Sequence, residues 1–93
     1  WTTRLALMGV NTLYLYLEDT CAVPGEPFIG YFRGACSAAD LRALDDHAHA
    51  LGIEIVPCIQ TLGHFEQILQ WPAYTDLADT PRILLADHPR TLP

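Results

Sequence analysis

Leu13-Tyr14-Leu15-Tyr16-Leu17-Glu18-Asp19-Thr20 is an apolar run that ends on two adjacent carboxylates. A second run, Ile53-Glu54-Ile55-Val56-Pro57-Cys58-Ile59-Gln60, ends on Thr61-Leu62-Gly63-His64. A helix-like stretch lies between them. Strands in tandem, each delivering polar or titratable groups at its carboxyl end, are the pattern of a βα-barrel, where the chemistry sits at that end. The expected fold is therefore α/β: a partial (β/α)8 TIM barrel with parallel strands, about two βα units of it.

The flanking sequence fits this frame. Trp1 to Met8 reads as the tail of a helix, with Trp1, Leu5 and Met8 at helical spacing and Gly9 as the stop. Asn11 to Leu17 reads as a strand that is apolar on both faces, as a buried parallel strand is. Thr20 to Cys36 is a long loop with Pro24-Gly25 and Pro27, but also Phe28, Ile29, Tyr31 and Phe32. So many large apolar groups predict an ordered loop over the active-site face. Ser37-Ala38-Ala39-Asp40 resembles a capping box, with Asp in place of the usual Glu or Gln. Leu41, Leu44, Ala48 and Leu51 form one helical stripe, and Gly52 falls at C′. Ile53 to Ile59 is the second strand. Phe65 to Gln70 predicts a short helix broken at Trp71-Pro72. Ala73 to Thr80 reads as loop with Tyr74 and Leu77 tucked in, Arg82 to Ala86 as a short apolar segment, and the remainder as frayed.

The chain has 93 residues, opens on Trp1 and stops on Pro93, and is expected to be a piece of a longer protein. A complete barrel needs roughly 250 residues. The formal net charge is −6 and every basic residue is Arg. Scattered arginines on an acidic chain do not make a nucleic-acid surface, which needs clustered positive charge. No apolar stretch approaches the roughly 20 residues of a membrane span, and no charged-then-apolar leader is visible. Cys21, Cys36 and Cys58 are an odd count without CxxC spacing, so neither a zinc knuckle nor a disulfide framework is expected. Cys21 and Cys36 flank one loop and can approach each other. Reduced thiols are the expectation, and with them a cytoplasmic location.

The candidate catalytic groups are Glu18, Asp19 and His64. Side chains alternate along a strand, so regular geometry turns only one of Glu18 and Asp19 toward a barrel axis. That carboxylate can stabilise charge; otherwise it is a solvated turn acid. His64 follows Gly63, whose freedom permits a bend that turns the imidazole inward. A His beside a carboxylate forms an oriented hydrogen-bonded pair; a structural His is the alternative. Arg33 is a candidate for substrate hydroxyls or, equally, a loop tether. Trp71 is a candidate stacking platform for a sugar face, or a core anchor. His47 and His49 lie two apart in a helix and do not share a face, so no metal pair is expected. There is no Gly-rich phosphate loop and no Gly-x-Ser-x-Gly elbow. No cofactor is expected.

Met8-Gly9-Val10-Asn11-Thr12-Leu13, followed by Tyr14-Leu15-Tyr16-Leu17-Glu18-Asp19-Thr20, resembles the second barrel strand of family 20 glycoside hydrolases, the β-N-acetylhexosaminidases. Leu51-Gly52-Ile53-Glu54-Ile55-Val56-Pro57 and Thr61-Leu62-Gly63-His64 resemble that family's next strand and its Thr-Pro-Gly-His motif. The wording is similar to the branch of bacterial exo-β-N-acetylglucosaminidases and hexosaminidase D enzymes. Glu18 stands where the family usually has the first Asp of an acidic pair, and Leu62 where it has Pro.

The resemblance implies a retaining hydrolase that removes terminal non-reducing N-acetylhexosamine from a glycan or glycoconjugate. Its nucleophile is the substrate's own acetamido oxygen, an exception to the two-carboxylate scheme. An Asp-Glu pair on a later strand orients the acetamide and protonates the leaving oxygen. Glu18, Asp19 and His64 match the supporting acids and the His. No Asp-Glu dipeptide occurs in this sequence, so the chain by itself is expected to be inactive. Two alternatives stand beside this: another sugar-cleaving barrel, such as an amylase-like one, and a non-catalytic carbohydrate-binding remnant.

Overall fold

The computed structural model describes residues 1–91. The chain is a mixed α/β structure organised around a two-stranded parallel sheet. Helix α1 (Thr2–Leu7) leads into strand β1 (Thr12–Tyr16). A long loop follows, then helix α2 (Ala38–Ala50) and strand β2 (Glu54–Cys58). β1 and β2 pair in parallel, Thr12 against Glu54 through Tyr16 against Cys58. This is one strand–helix–strand crossover, as the alternation of patterns predicts.

The ends of α2 are set by local chemistry. The Asp40 N–H donates to Ser37 Oγ at 3.1 Å, and the Ser37 N–H donates to Asp40 Oδ2 at 2.9 Å, which completes the capping box. The Asp40 carboxyl therefore titrates below its ordinary range, first through the Ser37 side chain and then through the Ser37 backbone. At the other end the Gly52 N–H donates to His49 O and the Ile53 N–H to Ala48 O, both at 2.9 Å. That is a Schellman motif, and it needs the positive φ of 74° that Gly52 supplies.

The two faces of the sheet differ. Leu15, Leu17, Ile55 and Pro57 face Leu41 and Leu44 of α2 across a groove of about 390 Å³. Leu17, Ala48 and Ile53 are buried on this side. On the other face Tyr14 and Tyr16 are 69% and 62% exposed. The run is apolar on both faces, but only one is covered.

A second apolar centre lies downstream. Ile68 and Leu69 of helix α3 (Glu66–Leu69) pack with Tyr74 and Leu77. Two segments differ from the expectation. The stretch Ala73 to Thr80 is not loop: Pro72–Leu77 forms a 3₁₀ helix and Ala78–Thr80 is strand β3, antiparallel to β4 (Ile83–Leu84). Pro72 begins the 3₁₀ turn, where its missing N–H costs nothing, and burial of Tyr74 and Leu77 fixes the rest. Nor is the stretch after Ala86 frayed as far as residue 91. Arg90 Nη1 and His88 Nε2 approach Asp76 Oδ2 at 3.3 and 3.5 Å, and the Thr91 N–H donates to His88 O. The last two positions of the expected frayed end lie outside the described residues. Among the described residues no helix is long and apolar enough to cross a membrane.

Candidate functional site

The site begins where β1 stops. The Leu17 N–H still donates to Cys58 O of β2, at 3.0 Å. The chain then turns, with the Thr20 N–H and hydroxyl both donating to Leu17 O at 2.8 and 2.6 Å. Inside that turn Glu18 has a φ of +49°, in the left-handed region. Such a backbone costs a non-glycine residue about 1–3 kcal/mol and persists only where its surroundings over-determine it.

This conformation overturns the strand-alternation argument. Glu18 and Asp19 do not point to opposite sides; both line the same cavity. Both also meet one cation. Arg33 Nη2 donates to Glu18 Oε2 at 2.8 Å, and Arg33 Nη1 lies 3.3 Å from Asp19 Oδ1. The guanidinium is held even more firmly protonated, first by the Glu18 bond and then by the Asp19 charge. Of the two readings of Arg33, the tether is the contact formed. Asp19 is only 9% exposed, and its Oδ1 accepts no aligned hydrogen bond among the described residues. The 3.3 Å approach is thus an ionic contact lacking hydrogen-bond geometry.

The loop that brings Arg33 back is ordered. Its two ends pair at Cys21 and Cys36 as a parallel bridge, and Val23 pairs with Glu26. Phe28 and Ile29 pack on the downstream apolar centre. Gly30 is buried, with φ +72°. A Cβ there would lie 2.6 Å from Ala35 Cβ and 3.0 Å from Asp19 O, so the loop crosses tightly over the acid turn.

His64 enters from the segment after β2. Gly63 has an ordinary φ; His64 itself adopts the left-handed conformation, at +61°. The bend expected at the glycine is therefore made by the histidine. The Leu84 N–H donates to Leu62 O at 2.9 Å and the Phe65 N–H to Arg82 O at 3.1 Å, which fixes the bend from both sides. Downstream, the Glu66 carboxyl is held below its usual range. Its own backbone N–H contributes most, followed by Arg82 and the His64 charge.

Glu18, Asp19, Gln60 and His64 share the walls of a cavity of about 120 Å³, completed by apolar groups such as Ile29 and Phe65. Among the described residues, no hydrogen bond or ion pair joins His64 to either acid; Arg33 holds both. Nothing in the residue types around Gln60 marks it as a site residue. It donates to the Tyr16 hydroxyl at 2.6 Å across the strand ends, and its place two residues beyond Cys58 is the signal that would have found it.

Trp71 does not line this cavity. Its ring stacks on Phe28 at 5.1 Å and 21°, and meets Tyr31 edge-on at 5.3 Å. The indole is the anchor that pins the loop to the downstream centre. His47 and His49 are both exposed on α2. Among the described residues, no three His, Cys, Asp or Glu side chains are grouped to hold a metal ion. The cavity is smaller than the roughly 300–1,000 Å³ of ligand pockets, so it does not by itself enclose a whole ligand. No protein-family model matches the sequence, and no curated protein matches it.

Proposed function

We propose that this chain is part of the catalytic (β/α)8 barrel of a β-N-acetylhexosaminidase that cleaves terminal non-reducing N-acetylhexosamine with retention. The observation that carries the reading is the shared cavity. Two acids following β1 and an imidazole following β2 line one cavity at the carboxyl end of parallel strands joined by a helix. Barrel enzymes do their chemistry at that end. The left-handed backbones of Glu18 and His64 add support, because strain of this kind gathers at functional sites.

In this reading the cavity is one wall of the sugar site. Arg33 neutralises part of the charge of the paired acids, and the buried Asp19 Oδ1 beside it accepts no hydrogen bond among the described residues. Glu18, Asp19 and His64 support a general acid supplied by another strand. The acetamido oxygen of the substrate is the nucleophile, and no cofactor takes part. The uncovered tyrosines on β1 and the open groove beside α2 are the surfaces that neighbouring barrel strands and helices would cover. The cytoplasmic location we propose rests on the sequence, in which three cysteines make an odd count without CxxC spacing.

The test is hydrolysis of 4-nitrophenyl glycosides. The complete enzyme is expected to prefer the N-acetyl-β-glucosaminide over the glucoside, and the 93-residue chain alone to release nothing. Preference for the glucoside would favour an amylase-like barrel instead. In the complete enzyme His64→Ala should lower kcat more than it raises KM; an unchanged kcat would reject the supporting role.

A further inference from the structure

The long loop carries a second piece of chemistry, separate from the acid cluster. Cys21 and Cys36 are backbone partners in an isolated parallel bridge. The Cys36 N–H donates to Thr20 O and the Ala22 N–H donates to Cys36 O, both at 2.9 Å, so the two bonds bracket Cys21. Adjacent chains in such a ladder run about 4.8 Å apart. That spacing lies within the roughly 4.4–6.8 Å between Cα atoms that a disulfide spans. Directly paired residues also project to the same face. Both cysteines are free thiols and neither is fully buried. Cys58 sits elsewhere, opposite Tyr16 in the sheet.

We propose that Cys21 and Cys36 form an oxidisable dithiol. A low-molecular-weight disulfide such as oxidised glutathione converts it to an intramolecular disulfide that clamps the Arg33 loop. One protein thiol loses its proton, attacks the small disulfide and expels one thiolate, giving a mixed disulfide. The second protein thiolate then attacks the protein sulfur of that bond and expels the other small thiolate. The protein loses two protons and two electrons; the small disulfide leaves as two reduced thiols. A new covalent tie then joins the ends of the segment that holds Phe28, Gly30 and Arg33. Because Arg33 bonds to Glu18 and approaches Asp19, the tie restrains the cation that neutralises the cavity acids. This inference stands whether or not the chain is a glycosidase.

The experiment is oxidation of the whole 93-residue chain by oxidised glutathione, followed by denaturation and tryptic mapping without reduction. Trypsin cuts after Arg33, between the two cysteines. The expected product is residues 5–33 linked to residues 34–42, with two of three thiols lost. The same oxidation in denaturant is the control. There, loop-closure statistics assign this pairing only about half of the product, whereas the folded chain should form little else. Separate glutathione adducts on both residues, links to Cys58, or a folded chain that merely reproduces the denatured distribution would overturn the proposal. Cys58→Ser should leave the product unchanged, and Cys36→Ser should stop at a mixed disulfide on Cys21. For the clamp, native tryptic cleavage after Arg33 should slow at least about threefold on oxidation, because local opening is restricted. Equal rates would overturn that part.

Discussion

Arg33 donates to Glu18 across 2.8 Å although fifteen positions separate them, and its other amino group lies 3.3 Å from Asp19. One cation thus ties the tip of the long loop to the turn that ends β1. Replacing it should release both. In Arg33→Ala two adjacent carboxylates, one of them buried, lose their countercharge, and an uncompensated buried charge is unfavourable. The expected outcome is a lower Tm than the parent, which Arg33→Lys recovers in part because it restores the positive charge, while Arg33→Met does not. A Met variant as stable as the Lys variant would mean that packing, not charge, is what Arg33 contributes.

The cap of α2 gives a second, independent pH dependence. Asp40 titrates below its unfolded value because it accepts from Ser37. A depressed carboxylate contributes stability that is fully present above the unfolded value near 3.9 and is lost as pH falls through the lower folded value. Asp40→Asn should therefore be less stable than the parent at about pH 5 to 7, and the difference should vanish toward about pH 2. Ser37→Ala, which removes the N-cap acceptor, should cost about 1 kcal/mol near neutrality. Thermal melts across this range check both.

Two glycines with similar backbones should respond differently to alanine. Gly52 has φ +74° and open space where a Cβ would lie, so Gly52→Ala should cost only the left-handed penalty, about 1–2 kcal/mol. At Gly30 the same penalty adds to a 2.6 Å clash with Ala35 Cβ and a 3.0 Å approach to backbone oxygen of Asp19. Gly30→Ala should be the more damaging and should displace the loop from the acid turn. Urea denaturation ranks the two; equal losses would mean that the loop moves aside freely.

Trp71→Ala separates anchoring from recognition. The indole stacks on Phe28 and meets Tyr31 edge-on. Its removal should cost about 3 kcal/mol, as for large aromatic truncations, and should raise proteolysis within the 20–36 loop. A variant with parental stability but weakened sugar binding would restore the stacking-platform reading.

The elements that were legible from sequence are those whose signals are local. Ser37, Asp40 and Gly52 mark the ends of α2 through contacts within a turn of themselves. The apolar runs of β1 and β2 identify both strands and their order. Downstream the signals are weaker. Pro72–Leu77 has no helical stripe, and it forms a 3₁₀ turn because Tyr74 and Leu77 are drawn into contact with Ile68 and Leu69. The segment after Ala86 reads as polar and unstructured, yet Asp76 gathers both His88 and Arg90.

The candidate site divides in the same way. Glu18, Asp19 and His64 are visible because each follows a strand, and strand ends are where parallel sheets present polar groups. That both acids face one cavity depends on a left-handed Glu18, and that Arg33 holds them depends on a loop folding back over fifteen residues. Composition and periodicity determine short-range structure, since backbone hydrogen bonds and caps close within a few residues. Which side chains meet across the cavity was decided only by long-range packing, through Phe28 on Trp71, Gly30 against Ala35, and β4 against the His64 bend. Such contacts depend on how separate segments share volume, and no local pattern records that.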